Sequence, residues 1–245
     1  MSRRMTIIGL AALCALALSA ISAAGASAGV TATTCLSGAS DGGGSTTTNV
    51  NCETGSTGTF GMKTFTGSTP LGLNTITPPV LTGKLFGATV ELKATGVNCV
   101  GCKGENKEVG GVMEVVGSGG SLEFVGVKVA GAESKCTVVG SATEKITTKA
   151  LKFTTTSLAG ATLEPVTETL LAQFNITGSE CTVAGNNIKV TGKAAATLNG
   201  AKLTVNVTKA SEELKLEGEK ASMTGVGTVK NKATNTALAL TTTTP

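Results

Sequence analysis

Leu170-Leu171-Ala172-Gln173-Phe174-Asn175-Ile176-Thr177 decides the fold. Leu170, Ala172, Phe174 and Ile176 alternate with Gln173, Asn175 and Thr177. A period of two sends successive side chains to opposite faces of a strand, so this stretch reads as a strand with one face on a core and one in water. The same alternation recurs at Val90 and Leu92 against Thr89, Glu91 and Lys93. It recurs again at Leu203, Val205 and Val207 against Lys202, Thr204, Asn206 and Thr208. Asn199-Gly200, between two alternating runs, signals a hairpin, and Gly185-Asn186-Asn187 signals another turn. Glu212-Glu213-Leu214-Lys215-Leu216-Glu217 alternates as well, with a short helix as the alternative. Strands at such short spacing predict an all-β protein, an antiparallel β-sandwich or barrel, disulfide-stapled and preceded by an N-terminal signal helix.

The chain opens with a cationic Arg3-Arg4 pair, an apolar run from Ile7 to Ile21, and the small residues Ala24-Gly25-Ala26-Ser27-Ala28. That order is a secretory signal peptide over residues 1–28, cleaved after Ala28, with Ala26 as the second choice. The apolar run is short for a membrane anchor, which needs roughly 20 residues. Thr6 stands where a twin-arginine signal would carry a strongly apolar residue, so the general secretory route is expected. Cys14 follows Leu13 rather than a small residue, which argues against a lipid-anchored cysteine.

Cleavage changes what the composition means. Both arginines leave, so the mature chain has Lys as its strong cation and Glu as nearly its only anion, with Asp41 the sole aspartate. The net charge of +4 counts those two arginines, so the remainder is close to neutral. Neither nucleic acid nor an acidic lipid surface is expected as a partner. Residues 29–79 form a Gly/Ser/Thr-rich N-terminal segment centred on Asp41-Gly42-Gly43-Gly44-Ser45. Thr77-Pro78-Pro79 reads as a break, because proline cannot donate to a sheet ladder. Residues 80–245 then form the β-sandwich or barrel domain.

Of the seven cysteines, six remain after Cys14 departs, and an even number in an exported chain reads as three disulfides. Six cysteines allow 15 pairings, and sequence does not choose among them. The preferred set is Cys35–Cys52, Cys99–Cys102 and Cys136–Cys181. With six Phe as the only aromatics, the core rests on Val, Leu, Ile and Ala, so each bridge matters for stability.

An internal echo is present. Ser134-Lys135-Cys136-Thr137-Val138-Val139-Gly140 returns as Ser179-Glu180-Cys181-Thr182-Val183-Ala184-Gly185. A Phe-bearing strand precedes each copy, around Phe124 and Phe174, and Leu85-Phe86 through Cys99 is a looser third. Two clear copies favour a duplicated hairpin pair over a repeat array. These units, the Lys/Thr/Gly bias and the run Gly218-Glu219-Lys220-Ala221-Ser222-Met223-Thr224-Gly225 resemble a divergent set of uncharacterised secreted bacterial β-proteins with Cys-Thr-Val-x-Gly strand repeats. The resemblance covers roughly residues 80 to 230. It implies no activity, ligand or catalytic residue.

The residue inventory excludes much chemistry. The chain has no His, so Ser-His-Asp and Cys-His mechanisms are out. Neither Ser141 nor Ser211 completes a Ser-x-x-Lys spacing. Cys99-Val100-Gly101-Cys102 has half a zinc site and no matching second pair, and no βαβ pattern surrounds it as in a redox motif. A structural staple is the preferred reading, ahead of redox chemistry and metal. One Asp is too few for a calcium loop. Glu212, Glu213, Glu217 and Glu219, or Glu105 with Glu108, are candidate carboxylate pairs for glycoside hydrolysis. The simpler reading is that these glutamates solvate exposed strand faces. Without Trp or Tyr, a sugar-stacking platform is missing. Gly117-Ser118-Gly119-Gly120 lacks the Lys-Ser/Thr of a phosphate loop and reads as a hairpin turn. The sequons at Asn175 and Asn206 lie inside strand patterns.

The resulting expectation is an exported, non-enzymatic β-protein, a structural or partner-binding module of the cell envelope or extracellular space. The rivals are a secreted hydrolase using paired glutamates and a thiol oxidoreductase using Cys99/Cys102. No catalytic residue, cofactor or metal is expected. The partner is an unspecified envelope or extracellular component. No membrane span is expected after signal removal, and the chain is expected as a monomer or weak homo-oligomer. The ending Leu240-Thr241-Thr242-Thr243-Thr244-Pro245 carries no sorting motif, which favours free secretion or loose association with the wall.

Overall fold

The computed structural model describes residues 29–37, 46–47, 60–109, 112–157, 160–199, 202–207 and 213–243. The expected signal helix with its cleavage site at Ala28, Glu212 and Cys52 lie outside the described residues. Every regular element among the described residues is a β-strand. The first are β1 (Gly29–Ser37), β2 (Thr46–Thr47), β3 (Phe60–Thr64) and the long β4 (Thr69–Leu85). Next come β5 (Ala88–Lys93), β6 (Gly96–Val100), β7 (Lys103–Val109) and β8 (Val112–Val125). Then follow β9 (Lys128–Val129), β10 (Thr137–Val139), β11 (Lys145–Thr147), β12 (Leu151–Ser157) and β13 (Gly160–Pro165). The central hairpins are β14 (Leu170–Thr177) with β15 (Gly185–Gly192), and β16 (Ala194–Asn199) with β17 (Lys202–Val207). The chain ends with β18 (Leu214–Leu216), β19 (Glu219–Lys220), β20 (Ser222–Asn231) and β21 (Thr236–Thr243).

All pairings are antiparallel, and they form two sheets. One has 16 strands along the path β2-β3-β1-β21-β20-β17-β16-β13-β12-β8-β7-β4-β5-β9, with β6 and β11 attached to β8. The other has five, in the order β10-β14-β15-β18-β19. The large sheet coils strongly, because β4 pairs with β20 as well as with β5 and β7. The seam where β4 meets β7 is only two residue pairs long, Thr69↔Gly104 and Pro70↔Lys103, and the sheet is not closed into a barrel. Beside the seam, the Val97 N–H donates to Thr75 Oγ1 at 2.9 Å and ties β6 to β4.

The prolines read as a break do not interrupt the chain's strand. Thr77, Pro78 and Pro79 lie inside β4. Thr77 pairs with Val226 and Val80 with Thr224, so Pro78 and Pro79 together oppose Gly225. A bulge asks no ladder donor of the extra residue, which is how a strand carries proline. The pairings thus join residues on both sides of position 79 into one sheet.

Two other local expectations shift where the register slips, and a third, the alternation of the glutamate-rich run, holds. Leu170 was expected on the core face of β14, but a register shift between Leu170 and Ala172 leaves it half-buried and puts Leu171 in the core at 5% exposure. Gly185-Asn186-Asn187 begins β15 instead of forming a turn outside it. Asn187 adopts a φ of 57°, and its N–H donates to Asn175 Oδ1 at 2.7 Å. The glutamate-rich run is strand, not helix: Leu214 and Leu216 are fully buried in β18, and Glu217-Gly218 turns the chain into β19. The hairpin expected at Asn199-Gly200 is present, with Asn199 paired to Lys202.

Two apolar clusters result. The larger lies between the five-stranded sheet and the β4–β5–β9 end of the large one, and includes Leu85, Val138, Phe174, Ile176, Ile188 and Leu216. The smaller joins Ala32, Phe65, Leu71, Val115, Leu238 and Leu240. One amide fastens the smaller cluster. Asn106 on β7 accepts from the Ala32 N–H at 2.7 Å and donates from Nδ2 to the carbonyls of Ala32 and Phe65 at 3.1 and 3.3 Å. It behaves as a peptide group supplied by a side chain, bridging β1 to β7. Asn106→Ala leaves those backbone groups without that partner and should cost about 1–3 kcal/mol. Chemical denaturation of the two proteins would measure it. A cost no larger than for Ala at exposed Lys107 would show that water replaces the amide.

Candidate functional site

The coiling of the large sheet leaves a partly open cavity of about 120 Å³, bounded by residues of β4, β6, β7, β8, β12, β13, β20 and β21. Its walls are almost wholly apolar, with Leu73, Val97, Leu122, Phe153, Leu163 and Leu240 among them. A second cavity of about 50 Å³ adjoins the larger core. Pro79, Phe124 and Met223 line both, so these three side chains form the partition between them.

Glycine shapes the larger cavity. Gly117-Ser118-Gly119-Gly120, expected as a hairpin turn, lies inside β8. Gly120 pairs with Leu151 and Gly117 with Phe153, so three steps on β8 match two on β12 and the strand bulges. Gly119 takes the bulge's φ of 82°. A Cβ on Gly117 would lie 1.9 Å from the Phe153 ring. The Phe153 ring therefore rests directly on backbone, and that contact forms part of the cavity wall. Gly117→Ala should destabilise by about 1–3 kcal/mol through overpacking. Phe153→Leu in the same chain should recover part of that loss, as thermal unfolding of the two single variants and the double variant would show. Strict additivity would separate Gly117 from Phe153.

The structure joins Cys99 to Cys102 and Cys136 to Cys181, with Cα separations of 5.7 and 4.9 Å. Cys99 and Cys102 span the turn from β6 to β7, which Gly101 makes at a φ of 68°, and both line the larger cavity. Cys136 and Cys181 connect the two copies of the echo. Lys135 and Glu180 hold equivalent places in those copies and form an ion pair at 3.7 Å. The duplicated segments thus meet at two adjacent equivalent positions, after which the first copy pairs with β14. Cys35 has its backbone in β1, paired with Met62, and its expected partner Cys52 lies outside the described residues.

The candidate carboxylates do not converge on either cavity. Glu105 and Glu108 lie three apart on β7, which points them to opposite faces. Glu213, Glu217 and Glu219 are exposed, and Glu217 Oε1 accepts from the Lys189 N–H. Glu164 takes both Lys152 at 3.0 Å and Lys193 at 3.2 Å, and their hydrogen bonds hold its carboxyl below the usual glutamate range. Among the described residues, no group of three or more Cys, Asp and Glu is placed to hold a metal ion. No described helix is long and apolar enough to cross a membrane.

Sequence reading did not single out Asn106, Phe153 or the Met223 side chain, and it did not foresee the cavity. A partial signal existed in glycines spaced two apart within a strand, such as Gly225 and Gly227 on β20, which thin a sheet face from within. Compared with known proteins, the chain matches no protein family, no curated protein and no solved structure.

Replacing Cys136 and Cys181 together by Ala should cost about 2–4 kcal/mol, because their bridge closes a long loop. The same change at Cys99 and Cys102, three residues apart, should cost less. Denaturant midpoints of the two double variants decide the order. If the redox rival holds, the Cys99–Cys102 potential will lie above about −300 mV, the range of labile or catalytic bridges.

Proposed function

We propose that this chain is an exported, non-enzymatic β-protein of the cell envelope or extracellular space, working as a binding module. The observation that carries this reading is the placement of the chemistry. The apolar side chains of the coiled sheet surround a cavity, and none of the described carboxylates lies on its wall. The candidate carboxylates among the described residues stand exposed, on opposite strand faces, or engaged by backbone. A concave apolar site is the usual form of a small-molecule pocket. Export draws support from the order of charge, apolar run and small residues at the start of the chain. It also draws support from oxidised cysteine pairs, which persist outside reducing compartments. The first paired strand begins at Gly29, one residue past the expected cleavage site at Ala28.

The full chain should be expressed in a bacterial host and its compartments separated. The expected product is an extracytoplasmic protein whose N-terminal residue is Gly29, with its cysteines oxidised. It should be inactive on a broad panel of glycans and peptides, and Glu213→Gln and Glu105→Gln should leave it so. Retention in the cytoplasm with free thiols would defeat the export part. Turnover abolished by either Gln variant would replace the binding reading with the hydrolase.

A further inference from the structure

We infer that the larger cavity binds a single unbranched alkyl chain, whose far end lies against the partition formed by Pro79, Phe124 and Met223. This deepens the binding reading above and rests on it. Three observations lead to it: the size of the cavity, the character of its polar neighbours, and its relation to the second cavity.

Size comes first. A volume of about 120 Å³ is well short of what a drug-sized ligand needs. Apolar cavities of roughly 150 Å³ stay dry and take up one benzene. The ligand portion that enters is therefore a slender hydrocarbon of roughly six carbons.

Two of the polar side chains of wall residues are already used. Thr155 Oγ1 donates to the Gly160 carbonyl at 2.6 Å. Lys152, which also lines the cavity, has its ammonium on Glu164 at 3.0 Å. A ligand with buried polar groups would leave them unpaired here, at a cost an alkyl chain avoids. Recognition is by length and girth, and a head group remains in solvent.

The partition sets the length. The smaller cavity lies beyond the same three side chains and is walled by Leu92, Val127, Ile146 and Phe174. Met223 is the adaptable member, since an unbranched thioether changes rotamer readily. With Met223 in place a chain stops at the partition, and trimming that side chain opens the way into the smaller cavity.

The test uses the mature protein with its disulfides intact, titrated calorimetrically with 1-alkanols from butanol to dodecanol. Affinity should rise about fourfold per methylene and level off near roughly six carbons. Adamantanol and naphthalene should bind at least tenfold more weakly than octanol. Ala161, 8% exposed on the cavity wall, offers a plug. Ala161→Leu should weaken octanol at least tenfold while leaving the thermal midpoint unchanged or higher, which excludes misfolding as the cause. Met223→Ala should move the plateau to longer alcohols by about two carbons. Octanol binding untouched by Ala161→Leu, equal affinity for naphthalene, or an unmoved plateau in Met223→Ala would each overturn the inference. If no alcohol binds but the protein is exported and catalytically silent, the inference fails while the binding-module reading stands. Turnover that depends on Glu213 or Glu105 removes that reading itself.

Discussion

The pairing of β4 with β20 is the constraint on which the rest of this structure depends. It aligns Leu71–Thr82 with Ser222–Asn231, and so joins segments from opposite ends of the chain. Only the pairing of β1 with β21 joins described residues farther apart in sequence, and β21 follows β20 in a hairpin. With β4 and β20 paired, the sheet has to coil, because β4 also reaches β5 and β7 along its other edge. The proline bulge is the joint in this pairing. The bulge supplies the local bend and added twist that coiling requires. A second irregularity between Thr75 and Thr77 turns Ile76 out to solvent at 50% exposure. Such long-range pairing is costly in loop entropy, which the intervening disulfide between Cys136 and Cys181 reduces for the central hairpins.

Coiling without full closure explains why there are two cores and why space remains between them. The five-stranded sheet covers one end of the large sheet and packs there as a sandwich. The other end folds on itself around Val115, Leu71 and the C-terminal pair Leu238 and Leu240. Few bulky aromatics are available to fill the interval between these regions. Phe124 and Phe153 stand in it, and Phe153 rests on glycine instead of on another side chain. A core assembled from Leu, Val and Ala on a sheet thinned by Gly117, Gly120, Gly225 and Gly227 lacks the volume to close completely. The cavity is thus a consequence of composition as much as of topology.

What the sequence made legible was local. The alternation through Phe174 and Ile176 and the Asn199-Gly200 hairpin depend on neighbours within a few residues, and both are seen in the structure. What stayed illegible depended on a partner strand. Pro78-Pro79 reads as a break in isolation, because only the strand opposite shows that Gly225 needs no donor there. Gly117-Ser118-Gly119-Gly120 has the composition of a turn, and only Phe153 on β12 explains why it is a bulge. Leu170 fell out of phase through a register shift that the alternating pattern cannot reveal. Asn106 looked like an ordinary polar strand residue. Its role comes from Ala32 and Phe65, which sequence alone does not bring near it.

A molecule with this many strands also has to avoid pairing with copies of itself, and the sheet ends show how. The terminal strands of the large sheet are β2 and β9, each of two residues. Those of the small sheet are β10, of three residues, and β19, of two. An edge so short offers few unpaired N–H and C=O groups to an incoming strand. β19 consists of Glu219 and Lys220, and β9 carries Lys128, so charge reinforces brevity. The long, apolar strands sit in the interior of both paths, each with a neighbour on either side. The same arrangement that protects the edges leaves the inward face of the coiled sheet as the concave apolar surface available to a ligand. Edge protection and a buried apolar site therefore follow from one decision in the fold: to bring β4 and β20 together and let the short strands finish the sheets.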